Sequence, residues 1–512
     1  MGALQLGLVS FWANHAFAEP LRSSLLPRSL PEAQGINSAG ILDFVKAIET
    51  QKLNLHSLMV LRHGKILAEG WWAPYRADLK HTLYSLSKSF TSTAIGLAVG
   101  EGRLTVQDKV ISFFPDQLPS EMSDNLKKMR VQDLLTMRTG HGKDSTPALR
   151  EAADPNWVKS FLAFPVEREP GTFFVYNSGA TYMLSAIIQK LTGQTLLEYL
   201  TPRLFKPLGI AGADWEVDPN GINTGGWGLR IKTEDIARFG QLYLQKGLWT
   251  GKRIVPERWV TEATQAHVPS GDPESDWTQG YGYQFWRCRH DAYRGDGAFG
   301  QYCVVLPKQD MVIAITSETG DMGAILNEVW KCILPAVSER TSGGAKSIQT
   351  ALKQKLATLA LPIPAVQSST PELSAINHKK FSFDSNELNV KSISFSFEAN
   401  SCKFSLENAE GIHAVHCGLG KWKEGFTDIS TLPLKLAPTL VPGETTNRIA
   451  ASGTWLDPKT FEMTWRFIET AHYDTVNCKF EGDTVKIAFR RSLAILGNTA
   501  DSRPILTGKM VG

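Results

Sequence analysis

LYSLSKSFTSTAIGLAVGEG, residues 83–102, crowds small hydroxylated side chains around one lysine just ahead of an apolar run. Phe90, Ala94, Leu97 and Ala98 recur with a helical period, and Gly100 and Gly102 supply a stop. The pattern puts Ser85 near the start of a helix and Lys88 one turn along it. Residues three apart share a helix face, so the hydroxyl and the amine come within hydrogen-bonding reach. A serine hydroxyl is a poor nucleophile until a neighbour takes its proton, and a partly buried lysine of lowered pKa can assist. Chance alone supplies about one Ser-x-x-Lys in a chain of this length, and this is the only one present. The rest of the sequence has to decide what it means.

With 512 residues the chain exceeds one typical domain, so two are expected. Its 54 basic and 51 acidic residues nearly balance, which gives no electrostatic reason to expect nucleic acid or an acidic polymer as partner. The start carries an apolar stretch from Ala3 to Ala13 and then Ala16-Phe17-Ala18, a small-x-small pattern suited to signal cleavage before Glu19. Residues 1–18 therefore read as a signal peptide without its usual positive charge, and export to the periplasm or outside is expected. No other segment has the length and apolarity to span a bilayer. Cys288, Cys303, Cys332, Cys402, Cys417 and Cys478 form no Cys-x-x-Cys pair, which argues for buried free thiols, with one bridge within the last three as the alternative. His413 and His416 in HAVHC would point to opposite faces of a strand, against a metal site there.

LMVLRHGKILAEGWW (58–72) is two apolar runs around His63-Gly64, a hairpin signal, and YCVVLPKQDMVIAITS (302–317) gives two more runs around Pro307 to Asp310. Helical patterns occupy 86–101 and about 179–192. Strands at both ends of this region and helices between them predict an α+β domain over 30–340: an antiparallel sheet flanked by helices, with a mainly helical insertion. Residues 341–378 contain SERTSGGAKSIQ from Thr341 on, a short helical stretch and LPIPAVQSSTPEL, a linker composition. Beyond it, FSFDSNELNVKSISFSFEANSCKFSLENAEGIHAVHC (381–417) alternates apolar and polar residues, so 379–512 is expected to be an all-β domain, sandwich or small barrel. The linker implies that residues 1–340 fold separately.

Two further features keep company with Ser85. EPGTFFVYNSGATYMLSAIIQKLTG (169–193) sets Tyr176-Asn177-Ser178 between an extended segment and a helix, and YRGDGAFGQYCVVLP (293–307) is a glycine-dense approach to an edge strand. In the order Ser-x-x-Lys, Tyr-x-Ser, Gly-rich strand, the chain resembles the penicillin-recognising serine hydrolases: class C β-lactamases, D-alanyl-D-alanine carboxypeptidases, related esterases and 6-aminohexanoate-dimer hydrolases. SLMVLRHGKILAEGWW, LTVQDKVISFFPD, VQDLLTMRTGH and GGWGLRIKTEDIARFGQLYL add family-like phrases, and the resemblance covers about 30–340. The all-β tail resembles an accessory domain seen behind such catalytic domains. The resemblance implies a metal-independent acyl-enzyme mechanism needing no cofactor, with Ser85 as nucleophile, Lys88 as its proton partner and Tyr176 exchanging protons with nucleophile and leaving group. It implies an oxyanion held by the backbone N–H groups of Ser85 and Ala298, and a substrate contacted around Asn177, Ser178, Gly295, Asp296 and Gly297.

Two departures from the family pattern matter. Asn177 and Ser178 both stand near the Tyr-x-Asn position, so which one reaches the substrate is open. Gly295 stands where penicillin-binding enzymes usually carry a lysine for the substrate carboxylate, although Arg294 next door could supply that charge. Together with Gly300-Gln301 this favours the esterase and aminohexanoate-hydrolase branch, acting on small esters, amides or peptide-like molecules. The alternatives are a β-lactamase or D-alanyl-D-alanine carboxypeptidase, and a slowly turning over penicillin-binding or sensor protein. His141 reads either as a residue of the cleft rim or as a capped loop histidine, and Trp227 as core packing more than cleft lining.

Overall fold

Strands β1 (Leu55–Arg62) and β2 (Lys65–Trp71) form the expected hairpin around His63-Gly64, and β3 (Trp286–Arg287), β4 (Tyr293–Gly297), β5 (Gln301–Leu306) and β6 (Met311–Ser317) return some 200 residues later to complete their sheet. The order is β2–β1–β6–β5–β4–β3, antiparallel throughout. The computed structural model describes residues 26–511 except 270, 339–345, 364–372, 430–435 and 438, so the expected signal peptide lies outside the described residues.

Both faces of the sheet are covered, which explains its unbroken apolar runs: every residue of β1, β5 and β6 is buried. Leu58 and Val60 face one layer with helix α1 (Ser38–Thr50), while Met59 and Leu61 face the helical middle of the chain. That middle contains α2 (Ser87–Gly100), α3 (Ser178–Thr192) and α4 (Thr233–Leu244). Helix α2 is the central one, with buried residues all round.

The stretch expected to be a linker is partly docked. Lys346–Ala357 is a helix whose Leu352, with Leu359 and Leu361 after it, is buried in the same cluster as α1 and the outer sheet face. Among the described residues, 380–511 contain ten strands in one sheet, closed into a barrel where Cys417–Leu419 pair parallel with Ala451–Gly453. Phe381, Phe395, Phe404, Phe461, Trp465 and Phe480 fill it. All six cysteines are free thiols. In the barrel His413 is buried and bonded to Asn408, while His416 lies exposed on the other face of its strand.

The barrel does not hang from a free tether but is docked on the first domain. Its Ala450 and Ile468 belong to the apolar cluster under the sheet. The Glu469 carbonyl accepts from the Thr82 N–H at 3.1 Å, the Thr470 carbonyl from the Tyr75 hydroxyl at 3.2 Å, and Glu444 pairs with buried Arg230 at 2.6 Å.

Candidate active site

Ser85 lies on a single 3-10 turn, Tyr84–Leu86, that runs straight into α2 at Ser87. It is half-buried, while Lys88, one turn on, is only 1 % exposed. Lys88 Nζ reaches three oxygens: Ser85 Oγ at 3.0 Å, Ser178 Oγ at 2.9 Å and the Gly226 carbonyl at 2.7 Å. Burial pulls the Lys88 pKa down to about 7, against smaller upward pulls from Asp144 and Asp296. At neutral pH a substantial share is therefore the free amine. Two N–H bonds of that amine satisfy Gly226 and Ser178, and the lone pair is left for the Ser85 hydroxyl proton.

Tyr176 arrives from the extended segment before α3 and lies beside the Ser85 side chain. Its ring stacks on Trp286 with centroids 5.7 Å apart and lies 4.9 Å from Lys88 Nζ. Burial, and then the negative field of Asp296, push the phenol well above its ordinary value, so Tyr176 is a protonated donor.

The two candidates after the tyrosine separate cleanly. Ser178 faces Lys88. Asn177 is the N-cap of α3 and fully buried: its Oδ1 accepts from Gly179 N at 3.0 Å, Ser145 N at 3.1 Å and Ser145 Oγ at 2.9 Å. With three hydrogen bonds accepted by its Oδ1 inside the fold, Asn177 holds the start of α3 and the Ser145 turn together. His141 is buried too, not on the rim. Its Nδ1 contacts Thr139 Oγ1 at 2.8 Å and Asn177 Nδ2 at 3.2 Å, its ring lies edge-on to Phe161, and burial holds it neutral with a pKa of about 4. Trp227 packs beside Trp157 and donates its indole N–H to Thr439 of the barrel at 2.9 Å.

On the other side of Ser85, strand β4 lies directly against the turn that carries the nucleophile. A Cβ on Gly297 would sit 2.0 Å from the Leu83 carbonyl oxygen, and one on Gly295 would sit 2.4 Å from Leu86 Cδ1 and 2.6 Å from Ser89 Oγ. Gly295 thus stands where the strand touches the start of α2, a close approach that leaves little room for a side chain. Gly300 N donates to the Gly297 carbonyl at 3.1 Å, closing a turn through Ala298 and Phe299. Because the peptide is trans, this fixes the Ala298 N–H on the opposite side from that carbonyl, outside the turn. Gln301 Nε2 holds the Ala298 carbonyl at 3.0 Å. Asp296, nearly buried, pairs with wholly buried Arg294 at 2.8 Å, and burial raises its pKa despite that partner.

Two residues beside these backbone groups adopt left-handed conformations that side chains rarely take: Tyr84 at φ 47° before Ser85, and Phe299 at φ 68° after Ala298. Sequence reasoning did not find them, nor the Gly226 carbonyl, nor Asp144, which accepts from Ser178 N at 3.0 Å. The GGWG run carried a usable signal for Gly226. Nothing in the sequence marks a left-handed aromatic residue. Among the described residues no cluster of three His, Cys, Asp or Glu side chains could hold a metal, and no helix is long and apolar enough to cross a membrane.

The family model described as Beta-lactamase matches residues 45–328. The 6-aminohexanoate-dimer hydrolase of Paenarthrobacter ureafaciens is 27% identical over 291 residues, 52% of this chain and 73% of that protein. The D-aminopeptidase of Brucella anthropi is 26% identical over 173 residues, 30% of this chain and 31% of that protein. Among solved structures, an inferred 6-aminohexanoate-dimer hydrolase from Bacillus anthracis superposes with a TM-score of 0.50 at 21% identity, covering 60% of this chain and 86% of that one, a likeness of fold.

Proposed function

The chain belongs to the β-lactamase family, and on that premise we propose that it is a serine hydrolase cleaving small esters or amides through an acyl-enzyme on Ser85. The observation that carries this is the Lys88 amine, buried, bonded to Ser178 and Gly226, and 3.0 Å from Ser85 Oγ. Lys88 takes the Ser85 proton as Oγ attacks the substrate carbonyl carbon. The N–H groups of Ser85 and Ala298 hold the oxyanion, each such donor typically contributing ~3 kcal/mol in the transition state. Tyr176 gives its proton to the leaving group and regains one from the Lys88 ammonium. Water then attacks the acyl carbon, its proton passes to Lys88, and Ser85 leaves with a proton returned to Oγ.

The electrostatics support a substrate without a carboxylate. Asp144 and Asp296 both act on Lys88, and Arg294 is engaged by Asp296 instead of standing free as an anchor. A β-lactam or peptide C-terminus would bring a third negative charge. The similarity to a 6-aminohexanoate-dimer hydrolase supports the amide side of this reading.

Intact-mass analysis after a fluorophosphonate, then a panel of p-nitrophenyl esters, short amides and nitrocefin, tests it. We expect one adduct, on Ser85, absent in Ser85→Ala, and ester turnover lowered ~100-fold or more in Tyr176→Phe. An adduct on another serine overturns the nucleophile. Nitrocefin turned over faster than every ester would move the assignment to a β-lactamase.

A further inference from the structure

The turn of the barrel at residues 467–472 carries a histidine into the interior of the catalytic domain. His472 is 2 % exposed, and its Nε2 is hydrogen-bonded to the hydroxyl of Tyr84, the residue before the nucleophile. Its Nδ1 lies 2.7 Å from Glu318 Oε1 and 3.2 Å from Ser492 Oγ. With Nδ1–H donated to the carboxylate, Nε2 is an acceptor and the Tyr84 hydroxyl donates to it. The phenol oxygen then accepts the Leu436 N–H, again from the barrel, at 3.4 Å.

Glu318 connects the imidazole to the other half of the site. The residue before it, Ser317, donates its hydroxyl to the Phe299 carbonyl at 2.6 Å and contacts the Gly300 carbonyl at 2.9 Å, while its own carbonyl accepts from Gln301 Nε2 at 2.7 Å. The same Gln301 nitrogen holds the Ala298 carbonyl. The Phe299 ring meets both partners edge-on, with centroids 5.4 Å from Tyr84 and 5.1 Å from His472. The two left-handed residues, Tyr84 and Phe299, therefore touch one another and one imidazole. Backbone in that region persists only where its surroundings over-determine it. One is bonded in sequence to Ser85, the other to Ala298.

We propose that His472 is a positioning residue supplied by the C-terminal barrel: through Tyr84 on one side and Glu318 and Phe299 on the other, it sets the spacing of the Ser85 and Ala298 N–H groups, so that the oxyanion site is complete only when the barrel is docked. The proposal rests on the reading of Ser85 as an acylated nucleophile. Labelling of the wild type at Ser85 tests that reading by itself, before any variant is made.

The test compares Tyr84→Phe, which removes one hydroxyl and keeps the ring, with His472→Gln, which keeps a polar side chain of similar reach, and with the double variant. Rates are normalised to the fraction that a fluorophosphonate can titrate. Phenylboronic acid is the probe, because its tetrahedral adduct with serine places an oxygen where the oxyanion forms. Each single variant should lower kcat for a p-nitrophenyl ester ~10-fold and raise the boronate Ki by a similar factor, with KM within about twofold, because misaimed donors cost transition-state binding alone. The double variant should be little worse than the worse single. Folded single variants with unchanged kcat and boronate Ki overturn the proposal, as does a loss that appears wholly in KM.

Discussion

Ser178 Oγ lies 2.9 Å from Lys88 Nζ, close to the 3.0 Å that separates the same nitrogen from Ser85 Oγ. One amine is thus shared between the nucleophile and the residue two places after Tyr176. Its neighbour Asn177 caps the same helix from inside. Ser178→Ala removes a partner of the buried Lys88 amine and should therefore lower the kcat of the folded enzyme by ~10-fold, the equivalent of ~1.4 kcal/mol. Asn177→Ala should instead lose about 1–2 kcal/mol of stability with the cap while the folded fraction keeps its kcat. Denaturation and steady-state kinetics on both variants separate the roles, and a stable Asn177→Ala protein with reduced kcat would return Asn177 to the substrate.

The lowered pKa of Lys88 sets a pH dependence. Burial brings it to about 7, so the amine form, and with it kcat/KM for an uncharged ester, should rise with pH through about 7 and then level. Lys88→Arg keeps its charge at every working pH and should be inactive across the profile. Stability moves with the same sign. Between about 7 and the ordinary value of 10.5, the unfolded chain binds the proton that the folded chain has lost, so this residue makes stability increase with pH over that window. Below about 7 both forms are protonated and the cost of burying the ammonium stands in full. Lys88→Met should raise the midpoint of thermal unfolding more at pH 6 than at pH 10. An equal change at both would mean that Lys88 is not depressed.

Residues whose placement follows from spacing within one element were legible in the sequence. Ser85 and Lys88 lie a turn apart, Tyr176 sits where an extended segment leads into a helix, and the apolar runs of β1, β2, β5 and β6 declare the sheet. Alternation over 381–417 declared the all-β domain. Asn177 against Ser178 was not legible, because adjacent residues at a helix start point in directions that the cap geometry alone fixes. Gly295 was ambiguous for a different reason: a glycine that allows a helix to approach looks, in sequence, like one that allows a substrate to approach. The docking of the barrel left no trace, since Thr439, Ile468 and His472 lie in turns and loops and their partners are far away in the chain, His472 and Tyr84 by 388 residues.

That docking changes what a truncation should do. A linker composition suggests that residues 1–340 can stand alone, but removing the barrel strips the partners of the Thr82 N–H, the Tyr84 hydroxyl and the Trp227 indole, takes Glu444 from Arg230, which keeps Asp214, and uncovers His56 and Tyr75, which stack at 3.8 Å. Each buried polar group left without a partner costs ~1–3 kcal/mol. A chain ending at residue 363 should be insoluble, or folded with ester turnover reduced ~100-fold or more. Soluble truncated protein within tenfold of the full chain would show that the barrel is only an appendage.

Substrate charge gives the last prediction. Reading Gly295 as the vacant place of a substrate-binding lysine suggests restoring that lysine, but its first side-chain carbon would already overlap Leu86 and Ser89. Gly295→Lys should therefore fail to fold, or lose ester and β-lactam turnover together, without narrowing the gap between them. Arg294→Ala is no cleaner, since it leaves Asp296 as a buried charge without its partner, a change that typically costs about 3–5 kcal/mol. Asp296→Asn is the informative variant. The amide oxygen still accepts from Arg294, the negative charge is gone, and the guanidinium field then reaches the cleft uncancelled. In the wild type, kcat/KM for p-nitrophenyl acetate should exceed that for nitrocefin by at least ~10-fold, and Asp296→Asn should shrink the ratio by a similar factor, the worth of one charge-assisted contact. Both substrates measured on both proteins at low and high salt complete the test, because an effect of charge weakens as salt screens it. A ratio that Asp296→Asn leaves unmoved would mean that the nitrocefin carboxylate never comes near the Arg294–Asp296 pair, and that shape alone selects the substrate.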